Sequence, residues 1–265
     1  MINGEANMDR EQEKQFQENG KEVPSDRNVH AGHRKRLRHR FLNHGIENFE
    51  SHQVLELMLF YAIPHKDTNP LAHRLLQRFG SLAGIMDATV EELMSVEGVG
   101  ENTAIYLKMF PAVFRQYELS RDYRRGCFDT LEKVGTYAKK LFIGATVEQV
   151  YLLMFNNRLQ LIDTYKLSVG TVNQAPVLPR MVVERALGNH ASSVVMVHNH
   201  PFGEAIPSEA DDLMTENCQM LCSMHNKLFC DHIIYAPNGM YSYYLSGRMV
   251  EISKNYSVSK FLGEE

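Results

Sequence analysis

The segment Val197-His198-Asn199-His200-Pro201, followed by Ser208-Glu209-Ala210-Asp211, holds the residues best suited to chemistry. Its pattern is His-x-His, seven residues, then Ser-x-x-Asp. On a strand, residues i and i+2 face the same side, so His198 and His200 project together. Two imidazoles and one carboxylate make a catalytic zinc set that leaves a fourth position for water. Pro201 stops the strand, and the loop through Gly203 and Pro207 returns the chain. Ser208-x-x-Asp211 reads as a capping-box-like helix start. Asp211 then sits in the first turn, where the helix dipole favours the anionic form a ligand needs. Each part alone is ordinary, as a helix cap or a surface pair of histidines. The conjunction is what points to a metal.

The elements that must position these residues can be read nearby. Val194 to Val197 is short, apolar and β-branched, hence a strand, and a helix runs from Ser208 to about His225. Val150 to Phe155 predicts a buried strand. Asn156-Asn157-Arg158 is a turn, and Leu159 to Val169 a strand of alternating character. Pro179 opens a helix that Gly188 closes. Leu131 to Phe142 is a further helix. Asp231 to Ala236 and Tyr241 to Leu245 flank the hairpin signal Pro237-Asn238-Gly239. Strands mixed with helices predict an α/β (α+β) domain over residues 131–255.

Upstream, residues 31–122 predict helices only. Val54 to Leu59, Leu71 to Phe79, Leu82 to Met86 and Val90 to Met94 carry helical patterns, and Gly80 is a plausible stop. Gly98-Val99-Gly100 breaks the pattern before a helix from about Glu101 to Glu118, which resembles a helix-hairpin-helix. Residues 123–130 form a polar linker. Residues 1–30 are acidic, rich in Gln and Asn, and too poor in apolar groups to offset the entropy of ordering, so they predict a disordered tail. Residues 256–265 form a C-terminal tail.

The longer string His198-Asn199-His200-Pro201-x-Gly203, with Pro207-Ser208, Asp211 and Asp231-His232-Ile233-Ile234, resembles the bacterial RadC family. Gly170-Thr171 and Pro179-Arg180 stand where that family has its Gly-Thr and Pro-Arg. The His-x-His-x7-Ser-x-x-Asp core is similar to the JAMM motif of MPN-type metalloproteases. The resemblance implies an MPN/JAMM-like mixed β-sheet flanked by helices, preceded by a small all-α domain. It also implies one zinc per chain on His198, His200 and Asp211, and a glutamate that handles the proton just before the first buried strand. That position is Glu148. Spacing alone does not separate it from Glu184, Glu204 or Glu209. The implied chemistry is hydrolysis of an amide or isopeptide bond in a protein or peptide, with the Ser208 hydroxyl helping to stabilise the oxyanion. Phe202 departs from the small polar residue usual at its position, which bears on access to the site.

Other readings stay open at this point. Cys218, Cys222, Cys230 and His232 are a rival Cys3His set, though the spacing is not the usual knuckle. The run Arg34, Lys35, Arg36, Arg38 and Arg40 and the glycine hairpin point toward DNA contact by a repair accessory protein with a structural or regulatory metal. Glu101, directly after the hairpin, opposes that role. An inactive scaffold that keeps the metal is a third reading. Length and composition (265 residues, 44% hydrophobic, 23% charged, net charge −4) exclude a collagenous or wholly disordered chain. No apolar run reaches the ~18 residues of a membrane span, and there is no secretory h-region, so a bacterial cytoplasmic location without membrane contact is expected.

Overall fold

The computed structural model describes residues 26–122, 127–170 and 177–254. Two compact units meet at Leu107/Lys108. The division falls inside a helix, upstream of the polar stretch 121–130. A helix can cross such a boundary because its backbone hydrogen bonds are internal. Of the sequence-stretch readings, most of the N-terminal tail, positions 123–126 of the linker, Thr171 and the C-terminal tail lie outside the described residues.

The first unit contains α1 (Asp26–His44), α2 (Ser51–Ala62), α3 (Asn69–Phe79), α4 (Leu82–Asp87), α5 (Val90–Met94) and the start of α6 (Glu101–Asp122). Helix α1 therefore begins inside the stretch read as tail. The apolar faces of α2 to α6 converge on Leu55, Leu59, Leu75, Ile85, Leu93 and Leu107, all fully buried. Gly80 ends α3 at φ 78, a conformation that costs other residues a Cβ clash. Thr89 and Glu92 cap α5 reciprocally. The one acid in the apolar stretch of α2, Glu56, is buried and held by His33 at 2.7 Å and Asn69 at 3.3 Å.

The second unit holds α7 (Leu131–Leu141), β1 (Gln149–Phe155), β2 (Leu161–Val169), α8 (Pro179–Gly188), β3 (Ser193–Asn199), α9 (Glu209–Met224), β4 (Leu228–Ala236), β5 (Gly239–Ser242) and α10 (Arg248–Ser253). The strands form one mixed sheet in the order β2-β1-β3-β4-β5, with β3 and β4 parallel and the other pairs antiparallel. The α/β class with a preceding helical segment is as the sequence predicts.

Every residue of β1 and β3 is buried, so both faces of the sheet centre are covered. Val150, Leu152, Met154, Val194 and Met196 face Val182, Met214, Cys218 and Met249 of α8, α9 and α10. Tyr151, Leu153, Val195, Val197 and Ile233 face Val134, Ala138 and Leu141 of α7. This sorting follows from the period of two along a strand.

Three local readings need correction. The second strand starts at Leu161 rather than Leu159, because Asn156 Oδ1 accepts from the backbone N–H groups of Arg158 and Gln160 and prolongs the turn. The last strand is Gly239–Ser242 and not Tyr241–Leu245. Its hairpin closes over Pro237-Asn238, and Tyr243 turns away so that its N–H reaches the carbonyl of His232. Helix α10, absent from the sequence reading, is short and anchored by Met249 and Ile252.

Candidate metal centre

His198 stands near the end of β3 and His200 just past it, on the face that α9 covers. Ser208 is the N-cap of α9 and Asp211 its third residue. The sheet and α9 thus bring together the three side chains that the spacing singled out. Among the described residues, His198, His200 and Asp211 form the one group of His, Cys, Asp or Glu that could hold a metal, with ligand atoms within 4.8 Å of one another.

Hydrogen-bond valence shows which way each ring points its lone pair. The Thr215 hydroxyl has one proton, and it goes to the carbonyl oxygen of Asp211 at 2.6 Å, which can only accept. Thr215 Oγ1 must therefore accept from His232 Nδ1 at 2.7 Å. His232 is fully buried, and that burial pushes its pKa well below 6.5, so the ring is neutral and its Nε2 accepts. His198 Nδ1, 2.7 Å away, is then the donor. Burial likewise lowers the His198 pKa to about 4, so its Nε2 carries a lone pair. His200 Nδ1 donates to the carbonyl oxygen of Glu204 at 2.8 Å, which turns Nε2 inward.

Three potential ligand atoms consequently converge. His198 Nε2 lies 2.9 Å from His200 Nε2 and 3.4 Å from Asp211 Oδ1. Asp211 Oδ1 is buried and has no hydrogen-bond partner. Such a cluster is repulsive unless a proton or a cation sits inside it. A tetrahedral zinc with ligands at about 2.0–2.1 Å sets its donor atoms roughly 3.3 Å apart; the pairs here span 2.9, 3.4 and, from His200 Nε2 to Asp211 Oδ2, 3.9 Å, so the three side chains could hold such an ion. The other carboxylate oxygen, Asp211 Oδ2, accepts from Ser208 N at 2.8 Å and Ser208 Oγ at 2.6 Å. The Ser208 proton is thus committed to orienting Asp211.

The structure separates the four candidate glutamates. Val150 pairs with His198 in the antiparallel β1–β3 register. Glu148 lies two residues before Val150, just outside β1, as His200 lies two residues past His198, just outside β3. Glu148 is half-buried, and its carbonyl oxygen accepts from Gly170 N at 2.8 Å. Glu184, Glu204 and Glu209 are exposed. Sequence reasoning gave no role to Asn199, the middle residue of His-x-His. Its Oδ1 accepts from Gln149 N at 2.8 Å and its Nδ2 donates to the carbonyl oxygen of Val147 at 3.2 Å. One carboxamide therefore clamps the backbone on both sides of Glu148. Its place inside the motif was the available signal. Beside Asn199 and His200 lies a cavity of about 290 Å³ walled by Phe142, Ile143 and Pro237, with Lys139 at its edge. Phe202 is 88% exposed.

The rival cysteine set does not assemble. Cys218 and Cys222 are buried in the apolar layer, where burial raises both thiol pKa values, that of Cys222 to about 12. Cys230 packs with the opposite layer, and His232 is occupied by His198 and Thr215. In the N-terminal unit, two of the five basic residues of the run are engaged internally. Arg34 binds the carbonyl oxygens of Phe60, Ile63, Pro64 and Lys66, and Arg40 binds Asn48 and Gln53. Lys35, Arg36 and Arg38 are exposed. No described helix is long and apolar enough to cross a membrane.

Comparisons with known proteins agree with this arrangement. A family model described as a RadC-like JAB domain matches residues 128–248, and one described as UPF0758 N-terminal matches residues 30–105. A UPF0758 protein of Fusobacterium nucleatum subsp. nucleatum is 30% identical over 223 residues, covering 82% of this chain and 96% of the relative. One from Ruegeria pomeroyi is 34% identical over 215 residues (81% and 96%). One from Rhodobacter capsulatus is 35% identical over 211 residues (80% and 99%). A chain that shares nearly the whole length of these relatives belongs to the UPF0758 family, and its own residues 128–248 match a RadC-like JAB domain.

Proposed function

We propose that the protein is a zinc-dependent hydrolase of the metallopeptidase kind, acting on an amide or isopeptide bond of a protein or peptide. The observation that carries this reading is the convergence of His198 Nε2, His200 Nε2 and the buried, orphaned Asp211 Oδ1. His198, His200 and Asp211 would hold one zinc ion. Bound there, zinc supplies Lewis acidity and lowers the pKa of a water molecule toward ~7.

The remaining steps belong to the chain's own side chains. Glu148, just ahead of β1, takes the proton of the attacking water and returns it to the leaving nitrogen. Asn199 holds the backbone on either side of that glutamate. The cavity beside His200 would receive an apolar substrate side chain, with Lys139 favouring a nearby anionic group. Ser208 holds Asp211 in place; to donate to an oxyanion as well, it must release Asp211 Oδ2. The alternative reading, a DNA-binding repair accessory, rests on Lys35, Arg36 and Arg38, since Arg34 and Arg40 are engaged within the fold.

Elemental analysis of wild type and His198→Ala/His200→Ala tests the proposal. About one zinc per wild-type chain, lost in the double variant, is expected. Peptidase and isopeptidase substrates should then be cleaved by wild type, with Glu148→Gln retaining zinc while losing ~10²–10⁴ in rate. No metal in either protein after zinc is resupplied would end the hydrolase reading.

A further inference from the structure

A second cavity, of about 370 Å³, lies at the other end of the β3–β4 pair from the histidines. Ser193, at its floor, is five residues before His198 on the same strand, roughly 16 Å away at ~3.3 Å per residue. The cavity is within the ~300–1,000 Å³ range of small-molecule sites. Its inner walls are apolar: Val134 of α7, Phe155 of β1, Val195 of β3 and Met249 of α10. At its mouth stand Leu159, Leu228 and Tyr244, which are 39%, 63% and 66% exposed. Large apolar side chains at a rim mark surface that gains from being covered.

The polar groups at the floor decide what would cover it. Ser193 is 4% exposed, and its Oγ has only the Cys230 thiol beside it as a weak partner. Gln219 Oε1, reaching in from α9, is also buried and without a partner. An orphaned carboxamide oxygen beside a hydroxyl with only a thiol for a partner is costly at an apolar site unless a donor reaches them. Among the lining residues there is no Lys or Arg, and Asp129 and Asp231 are both in the wall, so an anion would be repelled. Asp231 is already satisfied by Ser242 Oγ at 2.5 Å and Tyr244 N at 2.9 Å, and Asp129 is paired with Lys133 Nζ at 2.5 Å, so neither offers a cation much.

We propose that this cavity binds a neutral, mostly apolar small molecule, which inserts an N–H or O–H donor against Ser193 Oγ and Gln219 Oε1. The site is distinct from the metal centre and does not depend on the hydrolase reading.

Indole, an apolar bicycle with one N–H donor, and indene, its near-isostere without one, are suitable probes. The full-length chain carrying ¹³C-methyl methionine would be titrated with each, reading the Met249 methyl signal assigned by Met249→Leu. Saturable shifts at Met249 are expected for both, with indole bound about fivefold more tightly, the fold-change of one net hydrogen bond. In Ser193→Ala/Gln219→Met, and in part in Gln219→Met alone, the indole advantage should vanish while indene affinity holds. Because the readout is a ratio of two probes on one protein, a general loss of stability does not mimic it. No saturable shift at Met249, equal affinity for the two probes in wild type, or an advantage that survives the double variant would each overturn the proposal, the last two leaving water as the partner of both oxygens.

Discussion

Replacing Thr215 by valine keeps the side-chain shape and removes one oxygen. That oxygen is fully buried and joins two elements, by donating to the Asp211 carbonyl and accepting from His232 Nδ1. Without it, the His232 N–H has no partner, at a cost of about 1–3 kcal/mol for a buried unsatisfied donor. His232 can escape only by moving its proton to Nε2. Then Nε2 can no longer accept from His198 Nδ1 at 2.7 Å, so His198 must invert its own tautomer and direct a proton at the metal position. A metal ion would have to reverse that inversion on binding. The expected penalty is therefore of the same size, about 10–100-fold in zinc affinity, which is also the usual range for partners of ligating histidines. Competition with a chelator measures the affinity, and ¹⁵N histidine shifts of the metal-free protein report the tautomers directly. Thr215→Ser should restore both to near wild type. A folded Thr215→Val that binds zinc as tightly as wild type, with unchanged histidine tautomers, would refute the relay from α9 to His198.

Asn199→Ala releases the backbone flanking Glu148; turnover should fall ~10–100-fold with zinc content unchanged, measured by steady-state rates beside elemental analysis. The metal-free protein should lose stability as the pH falls from about 6.5 toward 4, because unfolded histidines take up protons that buried His198 and His232 refuse in the native state. His198 alone contributes up to about 3 kcal/mol across that window at ~1.4 kcal/mol per unit; urea melts at each pH should show the decline, and a flat profile would contradict it. If the N-terminal unit contacts duplex DNA through its basic run, three exposed cations limit the log–log salt slope to about −3. A steeper slope, or one unmoved by Arg36→Ala/Arg38→Ala, would place any DNA contact elsewhere.

The candidate ligand set His198, His200 and Asp211 was legible in the sequence because its arrangement follows short-range periods. Two residues along a strand return a side chain to the same face, and Ser-x-x-Asp places a carboxylate in a helix's first turn; neither needs tertiary information. The same holds for α3 with its Gly80 stop and for the buried strand β1, whose apolar run is continuous. Glu148 could be chosen only through family resemblance, since nothing local distinguishes it from Glu184, Glu204 or Glu209. The pairing of Val150 with His198 brings the start of β1 to the end of β3, and such register depends on segments far apart in the chain.

Other features were decided by packing alone. His232 supports His198 because β4 lies parallel to β3 with Met196 and His232 in register. Thr215 completes the relay because α9 crosses that face one turn beyond Asp211. The cysteines are ordinary core residues because they fall on different faces of one sheet. Arg34 and Arg40 leave the charged surface by capping carbonyl oxygens within their own unit. The sequence by itself determined which chemistry this protein is equipped for, since ligand type and spacing are local properties. Tertiary structure alone decided which nitrogen of each candidate histidine ligand turns toward the others and what supports it, because hydrogen-bond direction and strand register are set by partners that meet only on folding.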